Sequence, residues 1–102
     1  MRLILERNIY FSPMPTKQVM ISGKVQGVFY RARAKEIALG LKICGWIRNT
    51  TDGKVEAKIT GDEDKLSAFI SWCGVGPREA IVTEVVVSDV QVESFSGFQI
   101  AK

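Results

Sequence analysis

Histidine is absent from this 102-residue chain. Its absence removes the commonest general base and the commonest transition-metal ligand. Only two cysteines occur, Cys44 and Cys73, in no CxxC spacing, so a zinc site would have to be improvised. They are expected to be buried free thiols of a cytoplasmic protein, although spacing alone does not exclude a bridge. No apolar run approaches the ~20 residues of a membrane span. No block of five or more Lys and Arg occurs, and the net charge of +3 is too weak a footprint for nucleic acid. That mild excess is enough to help draw in a small anion. There is no internal repeat and no low-complexity segment.

What is present is the composition of one small globular domain, 46% hydrophobic and 25% charged. Residues 1–16 read as an N-terminal extension of unknown role, and residues 17–102 as the domain. Ser12-Pro13-Met14-Pro15 separates the two as a breaker cluster. The stretch Met1-Arg2-Leu3-Ile4-Leu5-Glu6-Arg7 is superficially like a secretory leader, but Glu6 and Arg7 interrupt its apolar part and no small-residue cleavage site follows. Within the extension, Ile9-Tyr10-Phe11 could add an edge strand or pack on the surface. Another reading is a dispensable extension or an upstream in-frame start, with Met14 or Met20 as candidate true starts.

From Lys17 the pattern is regular. Residues 18–23 predict a strand. Residues 31–39 predict a helix whose apolar face is Tyr30, Ala34, Ile37, Ala38 and Leu41, with Gly40 as the left-handed residue that ends it. Residues 42–48 predict a strand, and 49–53 a hairpin loop closing on Asp52-Gly53. Residues 54–60 alternate cleanly: Val55, Ala57 and Ile59 face one way, Lys54, Glu56, Lys58 and Thr60 the other. Asp62 suits the N-cap of a helix over 63–73, with Leu66, Phe69, Ile70 and Cys73 inward. A valine-rich strand follows over 83–93, with a bulge expected near Ser88-Asp89, and a short last strand over 98–100. The order predicts an α+β fold: a ferredoxin-like split βαβ sandwich, with a five-stranded, mainly antiparallel sheet and two helices on one face.

The chemistry concentrates in Gly23-Lys24-Val25-Gln26-Gly27-Val28-Phe29-Tyr30-Arg31. A glycine-containing turn between a strand and a helix start can present converging backbone N–H groups and the positive end of the helix dipole to a phosphate. Arg31 adds a guanidinium fork suited to phosphate oxygens. Its bland reading is a surface arginine snorkelling into water. Yet Arg31, Arg33 and Lys35 all oppose the dipole in the first turns, at about 0.3–1 kcal/mol each, a penalty that a bound anion reverses. Asn49 before a turn is commonplace, because its side chain can bond the local backbone. Gln26 either holds the loop through its amide or faces water. Trp46 and Trp72 are most simply core or rim aromatics.

Taken together these residues resemble the acylphosphatase family. One family motif is matched by Ile21-Ser22-Gly23-Lys24-Val25-Gln26-Gly27-Val28-Phe29-Tyr30-Arg31, and a second by Gly45-Trp46-Ile47-Arg48-Asn49, followed by Gly53, Val55 and Gly61. Further echoes are Trp72, Gly76-Pro77, Val82, Val85 and the closing Gly97-Phe98-Gln99-Ile100. Tyr30 stands where the family mostly has Phe or Met, and Ile47 where a smaller residue is usual.

The resemblance implies hydrolysis of the carboxyl–phosphate bond of acyl phosphates, giving a carboxylate and inorganic phosphate. Arg31 and the loop of Gln26, Gly27, Val28, Phe29 and Tyr30 would hold the phosphate, and Asn49 would position the attacking water. Gly23 and Thr50 would support them. It implies no cofactor and no metal. Inorganic phosphate is expected to compete as a product. A cytoplasmic monomer without nucleic-acid or membrane partners is expected.

Elementary chemistry allows so spare a site. The leaving group is a stable carboxylate, and phosphoryl transfer depends mainly on positioning and charge stabilisation. One rival is a non-catalytic anion-binding module on the same fold. Another is an RNA-binding module of the same topology. Such modules stack bases on strand aromatics, and residues 54–60 contain none.

Overall fold

The computed structural model describes residues 1–6 and 14–102. Strands β1 (Arg2–Glu6), β2 (Thr16–Lys24), β3 (Cys44–Asn49), β4 (Val55–Thr60), β5 (Ile81–Val90) and β6 (Phe98–Ile100) form one sheet in the order β1-β5-β2-β4-β3-β6. Helices α1 (Tyr30–Gly40) and α2 (Glu63–Cys73) complete the βαββαβ unit. The Ile9-Tyr10-Phe11 stretch lies outside the described residues.

Alternation explains the layering. Val19 and Ile21 of β2, Ile47 of β3, Val55, Ala57 and Ile59 of β4, and Val85 and Val87 of β5 point to the same side. There they meet Tyr30, Ala34 and Ala38 of α1 and Leu66, Phe69 and Cys73 of α2 in one core. Both helices therefore cover one face, as the split βαβ reading expects. On the other face Glu56 is buried by its neighbours, with the Arg48 guanidinium 2.7 Å away and the Gln18 amide donating to it.

Among the described residues the sheet has six strands rather than the five expected. Arg2–Glu6 pairs in parallel with β5, Leu3 opposite Val85 and Leu5 opposite Val87. A valine-rich β5 left as an edge would expose a row of unpaired backbone groups, and β1 covers it. Arg2 caps the pairing by an ion pair to Glu84.

Two local expectations are corrected. Gly40 is the last residue of α1, and the left-handed position falls instead on Lys42 (φ 58°). The Lys42 N–H donates to the Leu39 carbonyl at 3.2 Å and the Ile43 N–H to Ala38 at 2.9 Å, the paired bonds of a Schellman ending. Burial of Ile43, 2% exposed, offsets the ~1–2 kcal/mol a lysine loses there. The bulge also lies elsewhere. Ser88 and Asp89 pair regularly with Gln18 and Lys17, while the register shifts between Ser22 and Gly23, at the end of β2 that leads into the glycine loop. Asp62 does occupy the N-cap of α2, but its side chain makes no capping bond. Cys44 is half-buried and Cys73 buried, and both are free thiols.

Candidate active site

β2 leaves the centre of the sheet and turns at residues 25–29 into the first turn of α1. Two left-handed residues bend it, Gly27 (φ 75°) and Phe29 (φ 64°). Alternation of ordinary and left-handed conformations turns successive N–H groups toward a common centre. Among the described residues, no backbone N–H of residues 26–31 donates to another group of the protein. The first bond of α1 runs from Arg33 N–H to the Phe29 carbonyl, 3.1 Å. The first turn contains no acidic residue. Arg33 is engaged with Glu36 at 3.2 Å, whereas Arg31, half-buried, has no carboxylate partner among the described residues.

A pocket of about 330 Å³ opens here, lined by Val25, Gly27, Phe29, Tyr30, Arg31, Ala32 and Ile100. Most of the expected phosphate-loop residues thus meet at one place with Arg31. Val28 is turned inward and buried, so only its backbone is available to the loop's outer side. Tyr30 likewise offers only its N–H. Its ring is buried against Trp72, centroids 5.2 Å apart, and its hydroxyl donates to the Cys73 carbonyl at 2.7 Å. Burial pushes that phenol far above the ordinary tyrosine range, so it does not titrate near neutrality.

Asn49 ends β3 opposite Val55 and does not line the pocket. Its Oδ1 is buried and has no hydrogen-bond partner among the described residues. A buried amide oxygen left unpaired is costly unless a water or ligand group completes it. Gln26 ties the two segments together: its Nε2 donates to the carbonyls of Thr50 at 2.9 Å and Lys54 at 2.8 Å. Of the two roles open to Gln26 in the sequence, the tether is the one seen. Thr50 holds the turn itself. Its N–H donates to the Lys54 carbonyl at 2.9 Å, its hydroxyl accepts from the Lys54 N–H at 2.9 Å, and that hydroxyl also bonds Asp52. The hydrogen bond from Thr50 holds the exposed Asp52 carboxyl below its ordinary range.

Gly23 supports the loop by closeness. A Cβ at its φ of 126° would lie 2.1 Å from the Ile81 carbonyl oxygen, so any side chain would push β2 from β5 at the bulge. Sequence reasoning missed Ile100 as a wall of the pocket. Nothing local signals it, because β6 reaches the site only by pairing in parallel with β3. It also missed the exposure of the Phe29 ring. Among the described residues no three Asp, Glu or Cys side chains cluster as a metal site, and no helix is long and apolar enough to cross a membrane.

The family model for acylphosphatase matches residues 17–100. An acylphosphatase of Pelotomaculum thermopropionicum is 46% identical over 89 residues, covering 81% of this chain and 91% of that protein. Among solved structures, an acylphosphatase from Coxiella burnetii superposes with a TM-score of 0.84 at 34% identity, covering 87% of this chain and 94% of that one. The acylphosphatase from Bacillus subtilis gives 0.85 at 30% identity, covering 87% and 100%. With the motifs, the topology and these likenesses in agreement, the chain belongs to the acylphosphatase family, hydrolases of the carboxyl–phosphate bond.

Proposed function

We propose that the acyl phosphate's phosphoryl group sits in the loop of residues 26–31, with the Arg31 guanidinium on its oxygens and a water held by Asn49 for attack at phosphorus. The observation that carries this reading is a run of N–H groups without acceptors, beside an arginine without a carboxylate partner, among the described residues. Both are groups that gain from a dianion and have no other use for their position. The orphaned Asn49 Oδ1 suits a water O–H as donor.

In the reaction the water oxygen forms a bond to phosphorus, and the bond between phosphorus and the carboxyl oxygen breaks. Its electron pair leaves on the carboxylate, a weak base that needs no general acid. The water's proton passes to a phosphate oxygen or to solvent, which is why a site without histidine suffices. Fixed N–H dipoles and the guanidinium stabilise the charge on the equatorial oxygens. Inorganic phosphate then occupies the same loop and competes with substrate, and the protein works as a monomer.

The test is hydrolysis of benzoyl phosphate by the wild type, Arg31→Ala and Asn49→Ala. Loss of one preorganised charge-stabilising donor typically costs ~10²–10³ in rate, and Arg31→Ala is expected to lose at least that together with phosphate binding. Asn49→Ala is expected to lower kcat while inorganic phosphate still inhibits. Near-normal turnover by Arg31→Ala refutes the assignment, and unchanged kcat with lost phosphate affinity in Asn49→Ala refutes its role.

A further inference from the structure

The pocket that holds Arg31 has a second half that the phosphate does not use. Phe29 is 78% exposed, and among the described residues its ring pairs with no other aromatic. It also holds a left-handed conformation, which is unfavourable for a bulky side chain. Ile100 shares the side of β6 that carries the buried Phe98, yet is 42% exposed. Both line the same pocket as Arg31, with Val25 and Ala32 completing an apolar wall. Arg31 is the only charged side chain of that lining. The pocket is therefore polar at the loop amides and Arg31, and apolar beyond.

We infer that Phe29 and Ile100 form an acyl-group platform that selects acyl phosphates with an apolar acyl chain over those whose acyl group carries a carboxylate. This rests on the proposed reading of the loop as the phosphate site. With the phosphoryl group anchored there, the acyl group of the same molecule extends only along adjoining surface. With Arg31 taken by the phosphoryl group, that surface offers an aromatic face and a branched aliphatic side chain, and no donor for an acyl carboxylate. Burying such a charge without a partner is unfavourable, whereas each methylene laid against Phe29 and Ile100 leaves water. The exposure of Phe29 in a disfavoured conformation is then the cost of keeping its ring at the mouth of the loop.

The experiment measures kcat/KM for acetyl, propionyl and butyryl phosphate, whose leaving carboxylates have nearly equal basicity. The change per methylene then reports contact rather than reactivity. In the wild type, kcat/KM is expected to rise about two- to fourfold per methylene, the range between half and full removal of a CH₂ from water. In Ile100→Ala and in Phe29→Asn, the latter keeping a residue that tolerates the left-handed conformation, the rise is expected to shrink below ~1.5-fold per methylene. The readout is a ratio within each variant, so a general loss of activity cancels. A flat wild-type series overturns the inference, as does a rise that both substitutions leave intact. Failure of the wild type to hydrolyse any of the three, with inorganic phosphate unbound, overturns the phosphate reading and the platform with it. Turnover with a flat series overturns the platform alone.

Discussion

Gln26 is the residue whose truncation separates positioning from chemistry, because its side chain touches neither the phosphate nor the water in the proposed reaction, and its backbone N–H stays in the loop. Its amide gives one proton each to the carbonyls of Thr50 and Lys54, at 2.9 and 2.8 Å. Two neutral hydrogen bonds at ~0.5–1.5 kcal/mol each bound the loss at about 1–3 kcal/mol. The lower part of that range applies here, because neither carbonyl is orphaned. The Thr50 carbonyl still accepts from the Gly53 N–H at 3.4 Å, and that of Lys54 from the Thr50 N–H at 2.9 Å. Gln26→Ala is therefore expected to cost about 1–2 kcal/mol, and each kcal/mol lowers Tm by ~4–8 °C in a domain of this size.

The larger effect is expected in turnover. With the tether gone, the loop and the Asn49 turn move independently, and a misplacement of about 1 Å can cost ~10²-fold in rate. We expect kcat to fall about ten- to a hundredfold with all reacting groups present. Gln26→Glu should be worse than Ala, since a carboxylate would face two carbonyl oxygens with no proton to give. That facing raises the introduced carboxyl's pKa, so protonation restores one donor, and the stability gap to wild type should narrow as pH falls through it. Thermal unfolding and benzoyl phosphate turnover across pH 4–8 measure both effects. A Gln26→Ala protein with Tm within a degree or two of wild type and kcat within twofold refutes the tether.

Tyr30→Phe should lose about 1–3 kcal/mol in urea unfolding, because the Cys73 carbonyl at the end of α2 keeps no other donor among the described residues. An unchanged midpoint would show that the buried bond carries nothing. The Cys73 thiol, pushed up to about 12 by burial, should resist alkylation of the native protein at pH 8, while half-buried Cys44 reacts. Mass spectrometry showing native Cys73 modified as fast as Cys44 would contradict its burial. For Lys17, burial opposes the charge, but hydrogen bonds to Asp89 and Glu63 outweigh it and hold the ammonium above the ordinary lysine range. A raised lysine pKa contributes stability that is present below its unfolded value and fades as pH rises through its folded value. Lys17→Met should therefore be less stable than wild type by about 0.5–1 kcal/mol at pH 7 and converge with it only above the ordinary lysine range, as thermal melts from pH 7 to 11 would show.

Short-range pattern makes the layering and the local shape of the loop before Arg31 legible in the sequence. Alternation over 54–60 fixes which side of β4 is core, and the spacing of Tyr30, Ala34 and Ala38 fixes the buried stripe of α1. These are period-2 and period-3.6 signals carried by neighbours a few residues apart. The glycine loop ahead of Arg31, and Asn49 before its turn, are legible for the same reason: loop, cap and turn chemistry are local.

Features that depend on distant pairing emerge only with the fold. Residues 2–6 hold a short apolar run, Leu3-Ile4-Leu5, yet nothing in them says that they lie parallel to β5, some eighty positions later. The bulge falls at Gly23 because β2 must approach Ile81, and the left-handed turn after α1 falls on Lys42 because burying Ile43 outweighs the preference of Gly40 for that conformation. The bond from Gln26 to the Thr50 turn and the arrival of Ile100 beside Phe29 likewise join segments with no common local pattern. Such contacts form only once the sheet order is set, and sheet order is settled by the burial of the whole core rather than by any stretch of it.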